Sequence, residues 1–204
     1  EQPLQAPLPL AEGPAELRYA IAFEGLEQLG PDGELIEAFE AQSELHKDRD
    51  EAANAAQIDR RSRADAELLA ELLRSQGYYD AVVEPRIDRT GNALLVVLDA
   101  EPGEQYRFQS VELPGLEAAG AEAAELREEF AVKAGDPVIA EDVIAANVAL
   151  QVALGEQGFA LAEIGEQQIT IDHETRRAQL MLPVKTGPLA SFGAIRVSGR
   201  PPFS

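Results

Sequence analysis

A set of glycine, aromatic and strand-like signals occurs twice along this chain in the same order, which restricts the fold to a tandem of like units. Gln76-Gly77-Tyr78 is matched by Gln157-Gly158-Phe159, each directly after a stretch of helical periodicity. Gly103, Phe108, Val111, Leu113 and Gly115 are matched by Gly187, Phe192, Ile195, Val197 and Gly199. The offset is about eighty residues at both sites, and a short difference in a hairpin loop absorbs the mismatch. Ile21, Phe23 and Gly25 fit the same strand ending as Val111, Leu113 and Gly115.

Each copy reads strand, helix, helix, strand, strand. In the first, 17–26 alternates with Tyr19, Ile21 and Phe23 on one face, the period of a half-buried strand. A helix carries Leu35, Ile36 and Phe39, and the charged, alanine-rich stretch 44–67 reads as a solvated helical connection. Leu68, Leu69, Leu72 and Leu73 have helical spacing and Gly77 supplies the stop. Strands are expected at 78–88 and 93–100, turned by Thr90-Gly91-Asn92. In the second copy a strand is expected at 105–116 and a short helix at 122–132. Asp136-Pro137 is the start signal for a helix bearing Val143, Ile144, Val148 and Leu154, with Gly158 as its stop. Strands at 161–171 and 178–184 flank the turn 172–175. The fold class is therefore α+β, each unit a three-stranded mixed sheet with two helices on one face. The expected organisation is a flexible Pro-rich lead at 1–16, units at 17–104 and 105–188, and the first strand of a truncated third unit at 189–204.

Composition narrows the function. A formal charge of -20 repels phosphate backbones and anionic lipid, so nucleic-acid binding and direct membrane docking are disfavoured. No cysteine is present, so disulfides and thiolate metal sites play no part. No apolar run reaches the length of a membrane-spanning helix.

LLRSQGYYDAVVEPRID and ALGEQGFALAEIGEQQI resemble the helix-glycine-aromatic-strand junction of POTRA (polypeptide-transport-associated) domains. VVLDAEPGEQYRFQSVELPGL and LMLPVKTGPLASFGAIRVSG resemble the joint between one such domain and the next. The stretch from Ser43 to Ala81 is most similar to the first POTRA domain of the TamA branch of the BamA/TamA superfamily of outer-membrane assembly factors. The resemblance implies a non-enzymatic periplasmic arm that recruits unfolded outer-membrane clients, autotransporters among them. It also implies a TamB-like inner-membrane-anchored partner, no cofactor, no metal, no small-molecule substrate, and membrane attachment only through a C-terminal barrel outside this sequence. The POTRA arm of a two-partner secretion transporter is the alternative, disfavoured because a third unit begins. A divisome-type interaction module is a further one, disfavoured by the tandem copies.

Recognition of extended polypeptide requires a free sheet edge. Pro85 places the second strand of the first unit at an edge, since only there is a missing N–H tolerated. Candidate pairing residues are Tyr79, Val82 and Val83 in that unit and Leu161, Ala162, Glu163, Ile164 and Gly165 in the next, Gly165 at an expected bulge. Proline also blunts edges, which favours 161–169 as the pairing site. Pro102, Gly103, Gly187 and Pro188 mark short joints expected to restrict the arrangement of the units. Other polar groups read as structural. His46 and His173 lack ligand-spaced partners and are expected on the surface; Arg60, Arg61 and Arg63 are expected to pair with Asp59, Asp65 and Glu67. Tyr78, Tyr79 and Phe159 are expected as core anchors.

Overall fold

A computed structural model describes residues 18–29, 33–48, 53–90 and 93–189. The expected lead segment, the turn residues Gly91 and Asn92, and the third-unit strand beyond Leu189 lie outside these. Contacts divide the chain into two compact units, Glu1–Gln105 and Tyr106–Ser204.

The first unit contains β1 (Arg18–Glu24), α1 (Gly33–Gln42), the single turn α2 (Glu44–Lys47), α3 (Ala55–Ser75), β2 (Val82–Thr90) and β3 (Ala93–Glu101). The sheet order is β1-β3-β2, with β3 parallel to β1 and antiparallel to β2. Leu94, Val96, Leu98 and Ala100 alternate along β3 and are buried with Phe39, Ile58, Leu69 and Leu73 from the helices. α3 starts at a capping box: Asn54 Oδ1 accepts from the Gln57 amide and Gln57 Oε1 accepts from the Asn54 amide. It stops where the Tyr78 amide reaches back to the Leu73 carbonyl at 3.0 Å, with Gly77 between them.

The second unit repeats this plan with β4 (Arg107–Glu112), α4 (Ala123–Glu129), α5 (Ala140–Glu156), β5 (Glu163–Ile164), β6 (Gln168–Asp172), β7 (Arg177–Met181) and β8 (Val184–Lys185). Its sheet order is β4-β7-β6, parallel then antiparallel, with β5 and β8 as a separate short pair. Tyr106, Phe108, Phe130, Leu126, Leu150 and Leu154 form its fully buried centre. The architecture is α+β with a mixed three-stranded sheet in each unit.

Five local expectations need correction. The stretch 44–67 is not a solvated connection: Leu45 and Ile58 are fully buried, and Ser43, Arg61, Ser62 and Asp65 are buried with them. Asp65 on α3 accepts from the Ser43 hydroxyl and from the amides of Glu44 and Leu45, at 2.9 and 3.1 Å for the amides, so it caps α2 from another helix. Arg61 pairs with Asp48 at 2.6 Å, not with Asp59, Asp65 or Glu67, whereas Arg63 does bond Asp59 at 3.1 Å. Charged residues at helical spacing look alike in sequence whether they face water or a buried partner.

Asp136-Pro137 does not start a helix. Residues 135–138 instead run beside β4, with the Gly135 amide donating to Phe108 O, the Phe108 amide to Asp136 O, and the Val138 amide to Tyr106 O. α5 therefore begins at Ala140. Its expected apolar face is split: Val143 and Leu154 are buried, but Ile144 and Val148 are 60% and 57% exposed. Finally, 161–171 is not one strand. The register changes by one residue between the Ile164–Val184 and Gln168–Met181 pairs because Pro183 has no amide to continue the ladder, and Gly165 N bonds Pro183 O at 2.8 Å across the gap.

The repeated glycines have a shared cause. Gly25 and Gly115 both end the first strand of a unit with positive φ, 79° and 94°. A Cβ on Gly25 would overlap the carbonyl oxygen of Ala100, and one on Gly115 that of Val184. Only glycine lets the chain leave the sheet this close to the last strand. Gly115→Ala is expected to lower the unfolding free energy of the second unit by about 2–4 kcal/mol, read by urea denaturation, with the first unit's transition unmoved. Asp65→Ala removes the acceptor of the Glu44 and Leu45 amides and of the buried Ser43 hydroxyl, leaving only the bond from the His46 amide to Ser43 Oγ at the start of α2. It is expected to cost the first unit about 3 kcal/mol, visible as a lower melting temperature.

Candidate protein-binding edge

β2 lies at one edge of the first sheet, and among the described residues no strand pairs with its outer side. The ladder to β3 is continuous from Val82–Glu101 to Thr90–Ala93. Proline cannot donate, so an unbroken ladder requires Pro85 to sit at a non-hydrogen-bonded pair with its nitrogen turned away from β3. Backbone groups alternate along a strand, so those of Val83, Ile87 and Arg89 point outward too. The outer edge thus offers amide donors at Val83 and Ile87, with a gap at Pro85 between them.

A groove runs between this edge and α3. Its floor is small, with Ala66, Ala70 and Ala81 all buried, and Val83 and Pro85 form its strand side. Arg63, Glu67 and Arg74 line the helix side. Alanines at that spacing on α3 keep the helix low against the sheet and leave room for side chains of an added strand. On the opposite face of the sheet, Arg86 reaches Glu24 at 3.1 Å, Asp88 at 3.3 Å and Asp99 at 3.8 Å. Its cross-strand neighbour on β3 is Val97, which is 1% exposed. Hydrogen bonding to Asp88, reinforced by Glu24, holds the Arg86 pKa above its usual value. The three acidic partners come from all three strands, so this exposed network ties the sheet without using the outer edge.

The remaining candidate residues fall in different places. Tyr79 is half-buried in the turn before β2 and belongs to no strand, a correction to its expected place on the edge. Val82 is exposed at the start of β2, on the helix-free face. Leu161 and Ala162 lie in a turn, Leu161 70% exposed. Glu163 and Ile164 are paired with Lys185 and Val184 in the short ladder, and Gly165 sits at the register change. The continuous free edge of the second sheet is therefore β6, five residues against nine in β2. The other edge strand of that sheet, β4, is covered along Tyr106 and Phe108 by 135–138. Pro102 is buried; Gly103 and Gly187 have positive φ, and Pro188 is exposed.

Tyr78 is half-buried and Phe159 fully packed at the matching position. His173 is exposed, yet its Nδ1 lies 3.0 Å from the hydroxyl of the fully buried Tyr106, a contact that sequence spacing gives no means of seeing. His46 is half-buried, 3.9 Å from Glu40. Asp172 accepts from the Glu174 and Thr175 amides in the hairpin turn, and the bonds from Thr175 hold its carboxyl below the usual range. Among the described residues there is no cluster of three or more His, Asp or Glu that could hold a metal, and no helix long and apolar enough to cross a membrane.

Residues 106–187 match the family model POTRA, described as "Surface antigen variable number repeat". The matched residues make up the second unit, and the first has the same strand order and pairing. The chain is similar to the POTRA3-5 segment of BamA from Haemophilus influenzae, at 20% identity and a TM-score of 0.43, covering 90% of this chain and 71% of that one. It is similar also to POTRA1-2 of the periplasmic domain of Omp85 from Anabaena, at 16% identity and a TM-score of 0.42, covering 86% of this chain and 98% of that one. BamA POTRA4 from Haemophilus influenzae covers 43% of this chain at 22% identity and a TM-score of 0.35, with 98% of that chain covered. No curated protein matches.

The edge geometry is open to test by amide hydrogen exchange. Glu84, Arg86 and Asp88 are expected to be protected, with Val83, Ile87 and Arg89 exchanging at least tenfold faster.

Proposed function

We propose that this chain is part of a periplasmic, non-enzymatic arm of an outer-membrane assembly factor of the BamA/Omp85 type. It recruits partner or client polypeptide by pairing an extended segment with β2. The observation that carries this reading is the nine-residue edge of β2 running beside an alanine-floored groove. Main-chain pairing gives sequence-tolerant affinity, and the groove accepts every second side chain of the added strand. The POTRA match of the second unit supports the periplasmic setting.

The finer reading is a TamA-type protein with a TamB-like inner-membrane-anchored partner. It rests on the similarity of Ser43 to Ala81 to that branch. Outer-membrane barrel proteins and autotransporters are then the clients.

β2 is favoured over 161–169 for a physical reason. The second segment is divided by Gly165 and Pro183 into a two-residue ladder and a short strand. An incoming strand has fewer consecutive bonds to make there.

Titrating an unstructured, β-prone peptide into isotopically labelled chain is expected to perturb the amides of 82–90. Pro85→Val restores one outward donor and is expected to tighten binding about three- to tenfold, the worth of one net hydrogen bond. Val83→Pro removes a donor and is expected to weaken it. Silence at 82–90 would overturn the reading, and perturbation confined to 161–172 would move the site to the second unit.

A further inference from the structure

The helix α5 is apolar where it should be polar. Val143, Ala146, Leu150, Ala153 and Leu154 are buried and define the side facing the sheet. At 100° per residue the opposite side carries Ile144, Val148 and Val152, which are 60%, 57% and 55% exposed. The corresponding helix of the first unit provides an internal control. α3 buries the same kind of stripe, but its outward positions are Arg60, Arg63, Glu67, Glu71 and Arg74. A solvated helix in this protein thus has the ordinary amphipathic pattern, and α5 departs from it.

The apolar row is continuous with a groove between α5 and α4. Its floor is Ala145, Ala146, Ala149 and Ala153, and Val152 joins it to the row. Acidic groups stand on both sides: Glu125 and Glu129 from α4, Asp142 and Glu156 from α5. No basic side chain is among the lining residues, and Arg127 of α4 donates instead to the carbonyls of Phe130 and Val132, at 2.7 and 3.1 Å.

We infer that this face of the second unit docks a basic amphipathic helix of a partner protein. The small floor admits a helix at the close end of normal packing distances, the valines and isoleucine meet its apolar stripe, and the acidic rim meets its lysines or arginines. The same charges select against other occupants. A second copy of this chain, with its net charge of -20, would bring like acidic rims together, and an anionic lipid surface would be repelled. The inference is independent of pairing at β2: it uses another unit, another kind of element and a helical rather than extended ligand.

The test uses the whole chain and two synthetic helical peptides. One has leucines at i, i+3, i+4 and i+7 with lysines elsewhere; the other replaces lysine by glutamate. Fluorescence anisotropy at low and moderate salt is expected to show binding of the lysine peptide only, weakening as salt rises. The triple variant Ile144→Ser, Val148→Ser, Val152→Ser, at positions more than half exposed, is expected to weaken it at least tenfold. A separate variant, Glu125→Gln with Glu129→Gln and Glu156→Gln, is expected to weaken it similarly and to flatten the salt dependence. Circular dichroism identical to the parent chain confirms that both variants fold. Equal binding of the two peptides, or affinity unchanged by the serine variant, overturns the inference. So does self-association of the parent chain that the serine variant abolishes, which would make a second copy the occupant.

Discussion

In each unit the first and last strands run side by side and parallel, and a parallel pair cannot be closed by a tight turn. The chain between them must cross over the sheet, and the helices are what it crosses with. Because the middle strand in sequence is joined to the last by a hairpin, it has only one neighbour. The last strand, β3 or β7, takes the centre, and the second strand is left at the edge. The free edge proposed as the binding site is thus a consequence of topology and needs no special residue to create it. Gly25 and Gly115 serve the same constraint, since each lets the chain leave the first strand across a carbonyl, that of Ala100 at the end of β3 and that of Val184 just beyond β7.

The two units solve the packing of their helices differently. The first closes around a polar knot, where Asp65 holds the start of α2 and Arg61 holds its end through Asp48. Tyr19 adds a bond from β1 to the Leu45 carbonyl at 2.8 Å. The second has no such knot among its described residues and closes on aromatic and aliphatic side chains, Tyr106, Phe108 and Phe130 among them. A charge knot fixes one arrangement of helices because each partner is costly to leave unpaired. An apolar centre is more tolerant, and the helix that covers it, α5, is apolar on its outer side as well.

That difference underlies the two modes of recognition proposed for this chain. The first unit presents main-chain donors beside a groove with arginines on its helix wall. The second presents a helix face with acidic margins, while 135–138 covers one edge of its sheet and Pro183 interrupts the other. An extended client and a helical partner would not compete for the same surface.

Much of this was legible in the sequence because the relevant signals are local. The repeat, the helix stops at Gly77 and Gly158, and the hairpin at 172–175 depend on neighbouring residues alone, and Pro85 marks an edge because proline lacks an amide. Other features depend on partners distant in the chain. The stretch 44–67 reads as a solvated surface because Arg61 and Asp65 have the spacing of ordinary surface pairs, and only packing shows that their partners are Asp48 and Ser43. Asp136-Pro137 has the chemistry of a helix start, but β4 takes its backbone bonds. The break in 161–171 was half visible at Gly165, while its cause, Pro183, lies on the facing strand. Sequence by itself determined the order of elements around each described sheet and the places where the backbone must turn. Tertiary structure decided which charges are buried, which edge is long enough to pair and which side of α5 faces water, because each is set by what lies opposite in space.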